Sequence, residues 1–306
     1  MNYLNLIRYK NLLLLAFMQL VFRYGFLKLQ NVELAFSDWH YFLFVLATVC
    51  IAAGGYIIND IFDQDTDNEN KPEKVIVGKH LSENKAYNLY TAFTFIGVSL
   101  GFYLSNVIDK PNFATFYILI AATLYLYATS LKKIILVGNV IIALLLASSV
   151  IMVGIFDLLP ANYQNNRAIM VLLFSIIIDY AVFTFILNFI RELVKSLEDV
   201  KGDYNQGRNT LPIAIGVGRT TKIVFALSFI PIGCVLNYLN VYLFNNNLLI
   251  STIYGLIFIA CPLLYFTVKI WSAKKTAEFR HLSTVLKWIL FFGIISIVVI
   301  NLNMKK

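Results

Sequence analysis

The sequence predicts an all-α membrane protein with nine transmembrane helices. The chain has 306 residues, of which 59% are hydrophobic and 14% are charged. A soluble domain of this size does not carry so large an apolar fraction, so soluble enzymes are excluded. Apolar runs close to the roughly 20 residues needed to cross a bilayer recur along the chain. They are Leu12–Leu27, Tyr41–Ile58, Tyr87–Val107, Phe113–Thr129, Ile134–Phe156, Ala168–Ile190, Ile223–Phe244, Leu248–Ile270 and Leu282–Leu302.

Lysine and arginine residues predict how these helices are oriented. With the N-terminus inside, 18 of the 25 basic residues lie in segments on the inner side and five in segments on the outer side. Cytoplasmic loops carry this excess, so we predict the N-terminus inside and the C-terminus outside. The first apolar run lacks a small-residue cleavage site and is interpreted as a span. We therefore expect an integral, multi-pass protein of the inner (cytoplasmic) membrane.

The distribution of charge also bears on partners and on the position of the site. The net charge of +8 follows the topology and does not indicate a nucleic-acid partner. No obligatory protein partner is evident. Two connecting segments, 59–86 and 191–222, are long, polar and predicted to be cytoplasmic. Functional residues are expected in such segments, so we predict an active site at the cytoplasmic face.

The first long segment begins with a group of aspartates. Asp60, Asp63 and Asp67 are spaced i, i+3 and i+7, which places them on one face if the helix continues. They repel one another, and the negative end of the helix dipole adds to the repulsion. A hard divalent cation with oxygen ligands would compensate them. The alternative is a solvated acidic loop without function.

The second long segment repeats this arrangement at the end of the sixth span. Asp199 and Asp203 are i, i+4 neighbours, and Arg191 and Lys195 precede Asp199 by two turns and one turn. The chain therefore has a possible internal repeat. Two carboxylate groups with nearby basic residues suit a diphosphate, because metal ions bridge acids to phosphate oxygens. A cation transporter is the alternative from another class, although transport sites usually lie near the bilayer midplane.

These residues resemble the UbiA-type intramembrane prenyltransferases. Asn59-Asp60-x-x-Asp63-x-x-x-Asp67 is similar to the first signature of that family, and Asp199-x-x-x-Asp203 to the second. The likeness extends to three further stretches: Gly207-Arg208-Asn209-Thr210-Leu211-Pro212, Tyr127-x-x-x-x-Lys132-Lys133 with Gly138-Asn139, and Arg8-Tyr9-Lys10-Asn11. It covers nearly the whole chain and implies a single prenyltransferase domain over residues 1–306.

The resemblance implies a role for each matching residue. Asp60, Asp63 and Asp67 would hold one Mg²⁺, and Asp199 with Asp203 a second, both bridging an isoprenyl diphosphate donor. The implied diphosphate contacts are Asn59, Lys71, Lys132, Lys133, Arg191 and Lys195, and further implied site residues are Asn11, Tyr127, Asn139 and Arg208. Two positions depart from the common pattern: Lys71 replaces an arginine before Pro72, and Ser196 replaces an aspartate.

The acceptor is the least determined part of the prediction. The pattern from Arg191 to Asp203, followed by Thr210-Leu211-Pro212, is similar to the branch of the family that alkylates geranylgeranylglyceryl phosphate. That likeness implies transfer of a geranylgeranyl group to a lipophilic acceptor, with the prenyl chain lying among the helices and reached from membrane lipid. The alternatives are an aromatic quinone precursor and a porphyrin side chain.

One acid stands apart from these groups. Asp179 lies in the middle of the sixth span, where a charge is costly. Arg23 in the first span lies at a similar depth when 1.5 Å is counted per residue. We predict either an ion pair between Asp179 and Arg23 or a place for Asp179 in a substrate channel.

Overall fold

The computed structural model describes residues 2–70 and 72–304, and every regular element within these ranges is a helix. The predicted diphosphate contact Lys71 lies outside the described residues. In chain order the helices are α1 (Asn2–Leu6), α2 (Tyr9–Tyr24), α3 (Asp38–Phe62), α4 (Gln64–Asn70), α5 (Glu83–Val107), α6 (Ala114–Thr129), α7 (Val137–Asp157), α8 (Arg167–Glu198), α9 (Val200–Asn205), α10 (Leu211–Ile215), α11 (Val217–Tyr238), α12 (Leu249–Gly255), α13 (Cys261–Ser272) and α14 (Thr276–Met304). π-Helical turns at Leu239–Phe244 and Leu256–Ala260 extend α11 and join α12 to α13. The all-α prediction is confirmed.

Eight helical stretches of the described residues are long and apolar enough to cross a membrane. They match eight of the predicted spans and make this a multi-pass membrane protein. The exception is the predicted span Tyr87–Val107. Helix α5, which contains it, is 25 residues long, but serine, threonine, asparagine and tyrosine side chains interrupt its apolar run and lower its mean hydropathy. The count of nine spans therefore stays a prediction.

Close packing of α3 against α5 depends on glycine. A Cβ atom on Gly54 would lie 2.6 Å from the Thr94 hydroxyl, and one on Gly97 would lie 2.6 Å from the Ile51 side chain. Both distances are far below van der Waals contact, so larger residues would push the two helices apart. This packing fixes the helix that carries the first aspartate group.

Helices α3 and α8 end in the same way. Each helix is followed by an aspartate that leaves helical geometry, Asp63 with φ −105° and ψ 6°, and Asp199 with φ −100° and ψ 10°. The chain resumes at once in α4 and α9, and these two short helices contact each other. The internal repeat suggested by the sequence thus has a counterpart in local geometry, and both acidic segments lie at one end of the bundle.

Two apolar cores hold α3 and α8 in place. One core fills the space between α2, α3 and α7, where the buried Phe156 ring contacts Phe44 and Tyr117. The other core lies between α8, α11, α13 and α14 and includes the fully buried Leu193 and Phe266. Aromatic and aliphatic packing of this kind gives the helix ends fixed positions.

The predicted pair between Arg23 and Asp179 is wrong. The Arg23 guanidinium is buried and forms a close ion pair with Asp157 on α7 and a longer one, at 3.4 Å, with Asp38. The second oxygen of Asp157 accepts a hydrogen bond from the Phe36 amide at 3.0 Å. Asp179 is exposed on α8. Counting residues gives the depth of a side chain but not the direction in which the helix presents it.

Substitution of Asp157 should destabilise the protein strongly. We expect Asp157→Ala to lower the free energy of unfolding by about 3–5 kcal/mol, because it leaves the Arg23 charge buried and unpaired. Asp179→Ala is the matched control and should change stability little, since its carboxylate has no buried cation to neutralise. Thermal unfolding in detergent measures both effects, and equal losses would contradict the assignment.

Candidate active site

A polar cavity of about 660 Å³ lies where both acidic segments meet. Helices α3 and α4 form one side, α8 and α9 the other, and the turn Leu131–Lys133 and the residues before α2 close it. Eleven of the predicted site residues line it: Asn59, Asp60, Asp63, Asp67, Tyr127, Lys132, Asn139, Lys195, Asp199, Asp203 and Arg208. The structure therefore brings together residues separated by up to 149 positions in sequence.

Asp63 is the most heavily bonded acid of the first segment. One of its carboxylate oxygens accepts from Lys132 Nζ at 2.7 Å and from Arg208, and the other accepts from Asn59 Nδ2 at 2.6 Å. The side chain is buried, with 7% of its surface exposed. Although α3 breaks at this residue, the Asp67 amide donates to the Asp63 carbonyl at 2.8 Å, so the aspartates still face one cavity.

The second segment has the same backbone connection. The Asp203 amide donates to the Asp199 carbonyl at 3.1 Å across the break between α8 and α9. Arg208 donates to the Asp203 carboxylate at 3.2 Å and also to Asp63. This guanidinium therefore links the two acidic segments directly, and its five donors allow it to hold both carboxylates at once.

Asp67 and Asp203 are acids whose pKa values are raised in this cavity. Burial raises the pKa of Asp67 to about 6, and repulsion from the carboxylates of Asp63 and Asp60 adds to the shift. Burial likewise raises the pKa of Asp203 to about 6; Arg208 opposes this shift, and repulsion from Asp199 and Asp63 adds to it. Both acids would gain from a further cation in the cavity.

The predicted site residues omit Arg8 and Glu192, which both line the cavity. Arg8 donates to Asp60 at 2.8 Å and lies over the Tyr56 ring, 4.9 Å from its centre. Glu192 is buried and accepts from Lys195 at 2.8 Å. The likeness of the stretch beginning at Arg8 to the start of the family's first span was the available signal for Arg8. Glu192 belongs to the pattern from Arg191 to Asp203 that is similar to one branch of the family, and this was the available signal for it.

Ser196, which departs from the family pattern, has partners of its own. Its hydroxyl accepts from Asn139 Nδ2 at 3.1 Å and donates to the Glu192 carbonyl at 3.1 Å. Gly138 lets the backbone before Asn139 pass close to the turn at Lys132, because a Cβ there would lie 2.9 Å from the Lys132 Cα. Asn139 therefore connects α7 to α8 at the edge of the cavity.

Three predicted residues lie elsewhere. The Lys133 side chain is exposed and does not line the cavity, although its carbonyl accepts from the Asn209 amide at 3.3 Å. Asn11 and Arg191 line a second cavity of about 220 Å³. This second cavity is mostly apolar and runs into the bundle between α2, α3, α6 and α7. It shares with the polar cavity five residues: Arg8, Asn59, Tyr127, Glu192 and Lys195.

The polar cavity offers oxygen ligands for Mg²⁺ but not a complete metal cage. Within residues 2–70 and 72–304, no three acidic, histidine or cysteine side chains converge on one point. Basic side chains separate the aspartates instead. Mg²⁺ is usually bound by one or two carboxylates, with water and substrate phosphates as its other ligands. The two acidic segments therefore fit Mg²⁺ that arrives with a phosphate-bearing ligand.

The profile of the UbiA prenyltransferase family matches residues 28–295, and the chain belongs to this family. The resemblance inferred from the two acidic motifs is thereby confirmed. Among curated relatives, the chain is 34% identical to the digeranylgeranylglyceryl phosphate synthase of Sulfurisphaera tokodaii over 222 residues, which are 69% of this chain and 73% of that protein. It is 31% identical to the synthase of the same name from Korarchaeum cryptofilum over 261 residues, 84% of each chain.

Solved structures show the same fold at lower identity. A structure of digeranylgeranylglyceryl phosphate synthase superposes with a TM-score of 0.66 at 21% identity and covers 98% of this chain and 97% of that one. A UbiA homolog from Archaeoglobus fulgidus bound to DMAPP and Mg²⁺ superposes with a TM-score of 0.57 at 16% identity, covering 97% and 99%. These similarities establish the fold of the present chain.

The raised pKa values of Asp67 and Asp203 predict a pH dependence of stability. Their folded-state pKa of about 6 lies above the ordinary value of 3.8. Between these two pH values, the folded protein therefore binds more protons than the unfolded chain. With EDTA present, stability should therefore rise as the pH falls through 6. We expect a higher Tm at about pH 5 than at about pH 7.5. The difference should shrink in the double variant Asp67→Asn, Asp203→Asn.

Asp65→Asn is the matched control for this measurement, because Asp65 lies on α4 but is exposed outside the cavity. It should leave the pH dependence as in the wild type. A Tm difference that persists undiminished in the double variant would mean that other groups cause it.

Proposed function

We propose that this protein transfers a geranylgeranyl group from its diphosphate to geranylgeranylglyceryl phosphate in an Mg²⁺-dependent reaction. The observation that carries the proposal is the junction of a cavity lined by two acidic segments with an apolar cavity inside the bundle. Membership of the prenyltransferase family and the names of the curated relatives support it. The Archaeoglobus fulgidus homolog bound to DMAPP and Mg²⁺ supports the donor class and the metal.

The diphosphate binds in the polar cavity. Asp60, Asp63 and Asp67 would hold one Mg²⁺, and Asp199 with Asp203 would hold the other. Basic and amide side chains that line the cavity contact the phosphate oxygens: Arg8, Asn59, Lys132, Lys195 and Arg208. Bound Mg²⁺ supplies charge stabilisation for the departing diphosphate. Lys71 keeps the diphosphate role that the family resemblance implies.

The basic side chains around Asp63 are placed so that they can exchange the Asp63 carboxylate for phosphate oxygens. Lys132 and Arg208 already point at the cavity through their bonds to Asp63, so they need little rearrangement to meet phosphate oxygens. Burial lowers the pKa of Lys132, an effect that the Asp63 charge opposes. The arrival of a diphosphate with its metal ions keeps the local charge balanced, because cations and anions enter together.

The reaction breaks the bond between the allylic carbon and the diphosphate oxygen, and the diphosphate leaves with the electron pair. The glycerol hydroxyl oxygen forms the new ether bond, and its proton leaves with the diphosphate. Cationic character develops on the allylic carbon, which favours an aromatic, water-poor wall. Tyr56 and Tyr127 line the apolar cavity near its junction with the polar one and supply that wall.

In this proposal the chemistry takes place at the cytoplasmic face of the inner membrane. Both acidic segments lie at one end of the bundle, and that end also carries most of the basic residues of the connecting segments. With the N-terminus inside, nine spans place the C-terminus outside, and α5 is counted as a span because it packs along α3. The lipophilic acceptor enters from the surrounding lipid.

Replacement of one aspartate in either acidic segment by asparagine should nearly abolish transfer. We expect Asp63→Asn and Asp199→Asn to lower kcat by at least about 100-fold, because each removes a negatively charged oxygen ligand from a metal position. Asp65→Asn, on α4 but exposed outside the cavity, should retain wild-type turnover. The assay uses purified protein in liposomes with Mg²⁺, labelled geranylgeranyl diphosphate and a panel of acceptors. It measures formation of the ether product and release of diphosphate.

Wild-type transfer to the aromatic acceptors in that panel, with none to the glyceryl phosphate, would overturn the acceptor assignment. Cation flux through the liposomes without any prenyl transfer would overturn the enzyme assignment.

The apolar cavity should limit the length of the donor chain. Ser149 lines it on α7, ten residues after Asn139 and therefore about 15 Å deeper in the bundle. We expect Ser149→Phe to lower kcat/KM for geranylgeranyl diphosphate about tenfold or more. Dimethylallyl diphosphate, which is too short to reach this depth, should keep its kcat/KM. Ser175→Phe, on the exposed face of α8, is the control. Equal losses for both donors would contradict a chain-length role.

A further inference from the structure

Lys287 is a cation within the last transmembrane helix, and among the described residues no acid lies within ion-pair distance of it. It is half-buried on α14 and donates to Asn11 Oδ1 on α2 at 2.7 Å. A charge in such a position is costly and usually marks a functional contact. A neutral amide does not neutralise an ammonium group. The hydrogen bond therefore orients Lys287 but leaves its charge available.

Lys287 belongs to a group of like charges. The charges of Lys10, Arg191 and Lys195 all act on it. In the part of the chain that the structure describes, the one carboxylate paired with this group is Glu192, at 2.8 Å from Lys195 and 3.8 Å from Arg191. Four cations against one carboxylate leave an excess of three positive charges. Such an excess repels itself and is stabilised by an anion.

Arg191 supplies an independent sign that a ligand is missing from this group. Its Nε atom is buried and has no hydrogen-bond partner within residues 2–70 and 72–304. An unpaired buried donor of a charged group costs free energy, and bound phosphate oxygens would satisfy it. Arg191 and Asn11 line the apolar cavity beside its junction with the polar one. The unpaired Arg191 donor and the Lys287 ammonium group therefore lie at the same edge of the apolar cavity, Lys287 through its contact with Asn11.

Lys195 lines the polar cavity and serves the diphosphate, but the other three cations of this group do not. Lys132, Arg208 and Arg8 are each bonded to an aspartate of the first segment. Lys10, Arg191 and Lys287 have no aspartate partner among the described residues. Two substrates that are both anionic must bind side by side during an alkylation, and each needs its own counter-charge. The chain provides two such groups.

We infer that the phosphate monoester of the lipid acceptor binds to Lys10, Arg191 and Lys287. Asn11 orients Lys287 through its hydrogen bond. This inference rests on the proposed function and specifies how its acceptor is chosen. A monoester carries close to two negative charges at neutral pH, which suits a group with several uncompensated cations. The phosphate held there places the glycerol hydroxyl beside the diphosphate site and not within it. A singly charged aromatic acid would neutralise less of the excess.

The test compares Lys287→Gln with the wild type in nanodiscs made of phosphatidylcholine. We expect the KM for geranylgeranylglyceryl phosphate to rise about 10- to 100-fold, because one charged contact is lost. The KM for geranylgeranyl diphosphate should stay unchanged. Lys287→Arg should restore the acceptor KM. Lys274→Gln, an exposed lysine after α13, is the matched control and should behave as the wild type. Thermal unfolding confirms that each variant is folded.

A second acceptor separates a phosphate contact from a general defect. With the corresponding glyceryl ether alcohol, which lacks the phosphate, wild type and Lys287→Gln should have the same low kcat/KM. An unchanged KM for the phosphate acceptor in Lys287→Gln, while the wild type transfers normally, overturns this inference and leaves the proposed function intact. A wild type that transfers to no acceptor at all overturns the proposed function itself.

The competing source of phosphate is the membrane lipid. Phosphatidic acid added to the nanodiscs should inhibit the wild type by competition with the acceptor and inhibit Lys287→Gln less. Inhibition of both proteins to the same degree, together with an unchanged acceptor KM in phosphatidylcholine alone, would show that the basic group does not recognise the acceptor phosphate.

Discussion

The structure depends on compensation of negative charge at the ends of two helices. Asp63 and Asp203 come from opposite halves of the chain and share Arg208. Lys132 is the second cation that contacts Asp63. Without these cations the two segments would repel each other, because both are partly buried and both stand at negative helix ends. The same compensation that holds the segments together makes the cavity between them suitable for a diphosphate with its metal ions.

The site also separates charge from apolar surface over a short distance. The residues Asn59, Tyr127 and Lys195 line both cavities, so a polar group and a hydrocarbon chain of one molecule can be held on either side of them. An allylic diphosphate has this division. Apolar side chains of α2, α3 and α7 pack around the inner cavity, and the broken ends of α3 and α8 supply the charged rim. Helix breaks are tolerated there because polar groups lining a cavity can satisfy the freed backbone.

Sequence reasoning succeeded where a signal is local. Asp60, Asp63 and Asp67 were recognisable because their spacing is fixed by helix geometry, and the break after α3 did not move them to another face. It failed where partners are distant in sequence. Arg23 and Asp179 lie at comparable depths, yet Arg23 meets Asp157, since residue counting contains no information on which way a helix is rotated. Lys133 was equivalent to Lys132 in sequence, and only the direction of the turn exposed it.

The sequence by itself determined the membrane class, most of the spans, the prenyltransferase family and the two acidic segments. These follow from hydropathy and from short spacings, which act within one helix. The tertiary structure alone decided that Arg8 and Arg208 hold Asp60 and Asp63, and that Lys287 joins Arg191 near the junction of the cavities. Such neighbours are set by how helices rotate and pack against one another. The Coulomb energy between them depends on distance in space and is not encoded in any spacing along the chain.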